Sequence, residues 1–183
     1  MPKKVIRKIE LPLVTLLKKK QEIDLLSDET PFLLPEYIKA NLKHQLRPYQ
    51  VEALSNLDWT QHQPTADDQY NQLLFNMATG SGKTDVLAAI ILYLYTEFNQ
   101  QNFLFVVNTN AVVAKTYENL LNTSSSKYLF AQPLMIHGET IDIQAVTRFP
   151  EQPESGVIYL RLTTIQTLAN ELSYPHENGL TYE

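Results

Sequence analysis

The chain has 183 residues, is 44% hydrophobic and contains no cysteine, which allows one respectable core and excludes disulfide scaffolds and thiolate metal centres. Its formal net charge of −5 hides an asymmetry, because residues 1–20 hold seven Lys or Arg (Lys3, Lys4, Arg7, Lys8, Lys18, Lys19, Lys20) against Glu10, a local +6 that leaves −11 for the rest. Such an arm either touches nucleic-acid phosphate or is a solvated terminus.

The longest apolar run, Val86 to Tyr95, is about half of what a bilayer requires. The basic N-terminus has no small-residue cleavage site after its short apolar patch. A cytoplasmic protein with no membrane span is expected. His44, His62, His137 and His176 are scattered without ligand spacing and read as ordinary surface or core histidines.

In chain order, residues 4–17 mix Val5, Ile9, Leu11 and Leu13 with charge, and Pro12 argues against a helix interior there, so an extended segment is expected. Residues 21–36 are turn-like, with Ser27, Asp28, Pro31 and Pro35, and read as a docked connector. Leu46-Arg47-Pro48-Tyr49-Gln50 opens a helix with Pro48 in its first turn and Val51, Leu54 and Leu57 on one face. Residues 60–70 form a polar loop in which Asp67 and Asp68 read as a solvated turn rather than a metal site.

The next stretch organises the rest. An apolar segment, Gln72 to Met77, is expected as a strand and leads into Ala78-Thr79-Gly80-Ser81-Gly82-Lys83-Thr84, then into an apolar helix running to about Phe98. Two glycines let the backbone turn so that successive N–H groups point inward at phosphate oxygens, and the helix adds its positive N-terminal dipole. Lys83 has the reach to the β and γ phosphates, and the Thr84 hydroxyl is placed to hold Mg²⁺. The general GxxxxGKS/T pattern begins with glycine, and Ala78 stands in that position.

Beyond a turn at residues 99–102, Phe103 to Val107 reads as a strand buried on both faces, and Ala111 to Leu121 as a second helix broken by Asn122 to Ser126. Pro133 to His137 is a candidate third strand, residues 138–155 are mostly loop, Val157 to Leu162 is a fourth strand, and a helix follows from about Thr164 to Leu172. Strand and helix alternate from residue 72, so the fold class is α/β, a parallel sheet with helices on both faces joined by right-handed crossovers.

Taken together, Leu46 to Gln50, Met77 to Thr84, Phe103 to Thr109 and Thr163-Thr164-Ile165-Gln166 resemble the first motor domain of a superfamily-two DEAD/DEAH-like helicase. Within that group the chain is most similar to the motor (Res) subunit of type III restriction enzymes, over roughly residues 45–172. The resemblance implies an incomplete RecA-like P-loop domain over residues 45–183, behind a short basic extension and connector over residues 1–44. It implies ATP and Mg as cofactors, with Lys83 and Thr84 as the catalytic pair and Thr84 as the metal ligand. The nucleotide-binding set is then Arg47, Gln50, Ala78, Thr79, Gly80, Ser81, Gly82, Lys83 and Thr84. Gln50 resembles the family's adenine-reading glutamine, whose amide both accepts from N6 and donates to N7. Ala78 in the first position is usual in this superfamily. Thr109 and Asn110, then Thr163, Thr164 and Gln166, resemble its two backbone-gripping motifs at strand-to-helix junctions, although Asn108 stands where a proline is common. Helix capping and turn formation are the competing readings of both sets.

A motor of this kind also needs an acidic Asp-Glu motif after an apolar strand, and no apolar run here ends in that pair. The chain is therefore expected to be an N-terminal fragment truncated before that motif. Its partners would be DNA, or RNA, with a second motor domain and, in restriction enzymes, a nuclease domain in the parent chain. Two other readings stay open: a P-loop ATPase or kinase that does not act on nucleic acid, and a non-catalytic nucleic-acid-binding module.

Overall fold

The computed structural model describes residues 13–26, 32–62 and 72–173. Asp67, Asp68, His176 and the basic residues before Leu13 lie outside them. Eleven elements follow in order: α1 (Leu13–Leu26), α2 (Glu36–Asn41), α3 (Pro48–Gln61), α4 (Lys83–Phe98), β1 (Asn102–Val107), α5 (Asn110–Leu120), β2 (Met135–Ile136), β3 (Glu139–Thr140), β4 (Asp142–Ala145), β5 (Val157–Thr164) and α6 (Ile165–Ser173).

The run Val157–Thr164 is buried at every position but Leu162, as a central strand covered on both faces must be. It forms β5, the middle of a three-stranded sheet of order β1-β5-β4. Both neighbours are parallel to it, with Asn102 beside Tyr159 and Val107 beside Thr164 on one side, and Asp142 beside Val157 and Ala145 beside Leu160 on the other. Helices α5 and α6 pack against β5 and β1, while α4 packs on α2 and α3. One continuous core joins Leu54 and Leu57 of α3, Ala88 to Tyr93 of α4, and Ile158 and Leu160 of β5. The parallel sheet flanked by helices is thus present.

Several local expectations change. Residues 13–17 belong to helix α1, not to an extended segment, and residues 21–26 continue it. Leu, Lys, Gln and Glu, good helix formers, dominate the sequence from Leu13 on, and a proline ahead of such a run starts a helix more often than it breaks one. Strand β1 is not buried on both faces: it alternates, leaving Leu104 and Val106 partly exposed, because it is an edge strand among the described residues. The expected strand at Pro133 to His137 shrinks to Met135–Ile136, paired antiparallel with β3 through a tight turn in which His137 and Gly138 both have positive φ, the geometry favoured in two-residue hairpins. Strand β4 falls where loop was expected. It is four residues long and lies at a sheet edge, with only Ile143 half-buried, so it carries little hydrophobic signal.

A buried amide fastens the hairpin to α2. Asn41 donates to the Tyr37 carbonyl at 2.7 Å and the Met135 carbonyl at 2.6 Å, and its oxygen accepts from the Met135 N–H at 2.8 Å. Its side chain therefore acts as one more strand neighbour for Met135. Asn41→Ala is expected to cost about 1–3 kcal/mol, since it removes a buried amide and leaves the Met135 N–H and C=O without their partner; chemical denaturation measures this, and a cost well under about 1 kcal/mol would show that water replaces the amide.

Two phenols tie the α2–α3–α4 layer together. Tyr93 donates to Asp58 and Tyr37 to Glu97, each at 2.8 Å. Burial, and then the carboxylate acceptor, push both phenols well above the ordinary tyrosine range. A raised folded-state value favours the neutral phenol, so this stabilisation is complete below about pH 10 and is lost as pH rises past it. The melting temperature should fall in that alkaline window, and the Tyr37→Phe/Tyr93→Phe double variant should show a shallower fall.

Candidate nucleotide-binding site

The segment Gln72 to Met77 forms no strand and pairs with none among the described residues, so the strand expected there is corrected to an unpaired segment. It alternates as a strand would, with Leu73, Phe75 and Met77 half-buried and Leu74 93% exposed. Sequence pattern specifies the face that turns inward; a strand also needs a neighbour to bond.

The loop that follows is built by two glycines. Gly80 has φ +79° and Gly82 φ +76°, and Gly82 caps the N-terminus of α4. Between them the Ser81 N–H donates to the Ala78 carbonyl at 3.2 Å and the Ser81 hydroxyl to the same oxygen at 2.7 Å, closing a turn. A β-carbon on Gly80 would meet nothing within 4 Å; one on Gly82 would lie 2.5 Å from Gln50 Nε2 and 2.8 Å from Asp85 Oδ2. Gly80 is required for its backbone conformation alone, whereas Gly82 is required for both conformation and space.

Lys83 opens α4 and is exposed, and its ammonium folds back over the loop, donating to the Met77 and Ala78 carbonyls at 3.0 and 2.8 Å. Thr84 is half-buried in the first helical turn and Thr79 is exposed. Residues Ala78 to Thr84 are thereby gathered around one helix N-terminus, where backbone N–H groups and the macrodipole favour an anion.

Gln50 is buried and engaged at both ends. Its Oε1 accepts from the Arg47 N–H at 2.7 Å, closing the first turn of α3, and its Nε2 donates to the Ser81 and Gly82 carbonyls at 3.1 and 3.0 Å. The glutamine singled out as an adenine contact therefore braces the Ala78–Thr84 loop. Arg47 is exposed and donates to the Tyr49 hydroxyl at 3.1 Å, which in turn donates to the Ser81 carbonyl at 2.8 Å. Tyr49 was not assigned a role from sequence. Neither was the pair His44 Nδ1 and Asp85 Oδ1, 2.8 Å apart, which closes the opposite flank of Gly82. The one sequence signal for these was position: Asp85 directly follows Thr84, and Tyr49 directly precedes Gln50.

Beside the loop, a cavity of about 670 Å³ opens between α1, α3 and the 72–77 segment, with Leu17, Tyr49, Ala53, Leu73 and Phe75 among its walls and Gly80 and Ser81 at its rim. That volume and largely apolar lining are typical of small-molecule sites.

The second predicted set lies at one edge of the sheet. The register puts Val106 beside Thr163 and Val107 beside Thr164, so Thr109 and Asn110 emerge next to the junction of β5 and α6. Thr109 caps α5, its hydroxyl accepting from the Val112 N–H at 3.4 Å. Thr164 Oγ1 accepts from the Thr167 N–H at 3.1 Å. Thr163 and Thr164 are buried, whereas Thr109, Asn110 and Gln166 are exposed. The capping hydroxyls are thus engaged by their own helices, and the side chains of Asn110 and Gln166 make no hydrogen bond among the described residues.

No helix among the described residues is long and apolar enough to cross a membrane. Fold and loop together define a partial RecA-like α/β P-loop domain.

Residues 43–181 match the family model described as "Type III restriction enzyme, res subunit". Over 156 residues the chain is 39% identical to the "Probable type III restriction-modification enzyme HindVIP Res subunit" of Haemophilus influenzae, an alignment that covers 82% of this chain and 30% of that protein. The chain belongs to the type III restriction enzyme Res-subunit family. It spans about 30% of the length of the curated relative it matches. No solved structure matches it.

Proposed function

We propose that this chain is the nucleotide-gripping part of an ATP-dependent DNA helicase or translocase of the restriction type. Residues 45–183 would be the first motor domain and residues 1–44 an extension and connector. The observation that carries the reading is the loop Ala78 to Thr84: two left-handed glycines, a helix N-terminus and an ammonium held 2.8–3.0 Å from the loop's own carbonyls. This donor set fits a triphosphate. The backbone N–H groups of Thr79, Gly80, Gly82 and Lys83 would cradle its phosphates, and Lys83 would exchange the Met77 and Ala78 carbonyls for phosphate oxygens. The Thr84 hydroxyl fits the hard oxygen coordination that Mg²⁺ prefers. ATP with Mg²⁺ supplies the phosphoryl chemistry when bound.

Around the loop, Gln50 would hold the Ser81–Gly82 backbone in its anion-binding shape, and to read adenine with both ends of its amide it would exchange the Arg47 N–H and the Ser81 and Gly82 carbonyls for the base edge, with Arg47 and Tyr49 flanking the same side. At the sheet edge, Thr109, Asn110, Thr163, Thr164 and Gln166 would offer hydroxyl, amide and helix N–H groups to a nucleic-acid backbone without reading sequence. Family membership and 39% identity to a Res subunit support DNA as the polymer.

The test is the ATP turnover of the polypeptide that carries this chain. Added DNA should raise turnover several-fold. Turnover that DNA and RNA both leave unchanged would contradict this reading and favour a P-loop ATPase acting on another substrate.

A further inference from the structure

The sheet edge assigned to the nucleic-acid backbone carries no cation among its five residues, although phosphate binding draws most of its strength from Lys and Arg. Parallel strands all end on the same side, so the C-terminal end of β4 shares this edge with those of β1 and β5. There the sequence runs Ala145-Val146-Thr147-Arg148. The ladder continues past Ala145, because the Val146 N–H donates to the Leu160 carbonyl at 3.0 Å. Ala145 lies beside Leu160, and Arg148 follows two residues after Val146, just past the C-terminal end of this strand. The chain bends at Thr147 and Arg148, and both are exposed.

Several other described cations are committed elsewhere: Lys83 to the loop carbonyls, Arg161 to Glu171, Lys39 to Glu36, and Lys43 over the Tyr128 ring, while Lys115 and Lys127 lie on and beyond α5. No ion pair or side-chain hydrogen bond involves Arg148 among the described residues. Glu151 and Glu154 follow it on the segment that returns to the opposite edge, where β5 begins at Val157.

We propose that Arg148 is a third phosphate contact, extending the track formed by the ends of β1 and β5 across the full width of the sheet. Neighbouring strands lie about 4.8 Å apart, so the three ends form a ledge roughly 10 Å across, wide enough for consecutive phosphates of an extended strand. Arg148 supplies charge and position; the capping threonines and helix N-termini supply hydrogen bonds. The inference rests on the nucleic-acid reading of this edge.

It is tested by the fluorescence anisotropy of a labelled single-stranded 20-mer of deoxythymidine titrated with the chain, across a salt series from about 25 to 200 mM. Arg148→Gln should weaken binding roughly three- to tenfold at the low-salt end and flatten the slope of log K against log salt by about 0.7, the value for one phosphate contact on a single strand. Arg148→Lys should retain the slope. Lys127→Gln removes an exposed cation beyond the far end of α5 and should change neither. Unchanged melting temperatures separate these effects from misfolding. If the wild type binds and Arg148→Gln keeps its affinity and slope, the proposal is overturned while the nucleic-acid reading stands; if the wild type does not bind, both fall.

Discussion

Gly82→Ala should destabilise the chain by roughly 3 kcal/mol or more, well beyond what backbone strain alone would cost. The position has φ +76°, and an added methyl would sit 2.5 Å from Gln50 Nε2. Gln50 cannot swing aside cheaply, because it is 3% exposed and its amide holds the Arg47 N–H, the Ser81 carbonyl and the Gly82 carbonyl. Asp85, on the other flank, is held by His44. Accommodating the methyl would break the brace between α3 and the loop, and with it the shape of the proposed anion site. Gly80→Ala is the matched comparison: with nothing within 4 Å of the new methyl, it carries only the left-handed strain, about 1–2 kcal/mol. The gap appears as a melting temperature several degrees lower for Gly82→Ala than for Gly80→Ala, at about 2–4 °C per kcal/mol for a chain of this size. Equal melting temperatures would mean that the Gln50 brace is slack.

The contrast between these two glycines also marks where sequence stops being informative. The loop, the helix after it, and the elements β1, α5, β5 and α6 follow from local chemistry: paired glycines before Lys83, an unbroken apolar run for α4, and Val157 to Leu162 with no polar interruption but Arg161. What sequence does not carry is pairing across distance. The contacts of Gln50, Tyr49 and His44 with the loop join residues 31 to 41 positions apart, so a pattern read in short windows finds each residue without its partner.

Arg161 shows the same limit. A cation in the middle of a buried strand looks like a defect in the pattern until α6 brings Glu171 onto it. Strand β4 is hidden for another reason, since an edge strand needs burial on one side only and Asp142 and Gln144 satisfy that with a polar face. Helix α1 is hidden by Pro12, which reads as a breaker within a helix and as a starter just before one. The segment Gln72 to Met77 has the alternation of a strand and lacks a bonded neighbour among the described residues, so its pattern is right and its pairing is not.

Lys83→Ala carries the second large effect, and it falls on binding rather than on folding. The side chain is exposed, and its two hydrogen bonds go to loop carbonyls that water can reach, so removing it should shift stability by no more than about 1 kcal/mol. Losing a cation from the first turn of α4 even relieves a small unfavourable interaction with the helix dipole. In the nucleotide complex the same ammonium would face phosphate oxygens, where a charge-assisted hydrogen bond contributes about 1.5–3 kcal/mol, a factor of roughly 10 to 150 in affinity. Fold and function should therefore separate cleanly at this residue.

The most direct measurement is a calorimetric titration of the wild-type chain and of Lys83→Ala with ATP and Mg²⁺, with circular dichroism on both proteins. The nucleotide-gripping assignment predicts saturable binding by the wild type, affinity lower by at least about tenfold in the variant, and superimposable spectra. Equal ATP affinity in the two proteins, or no binding by the folded wild type, would contradict it.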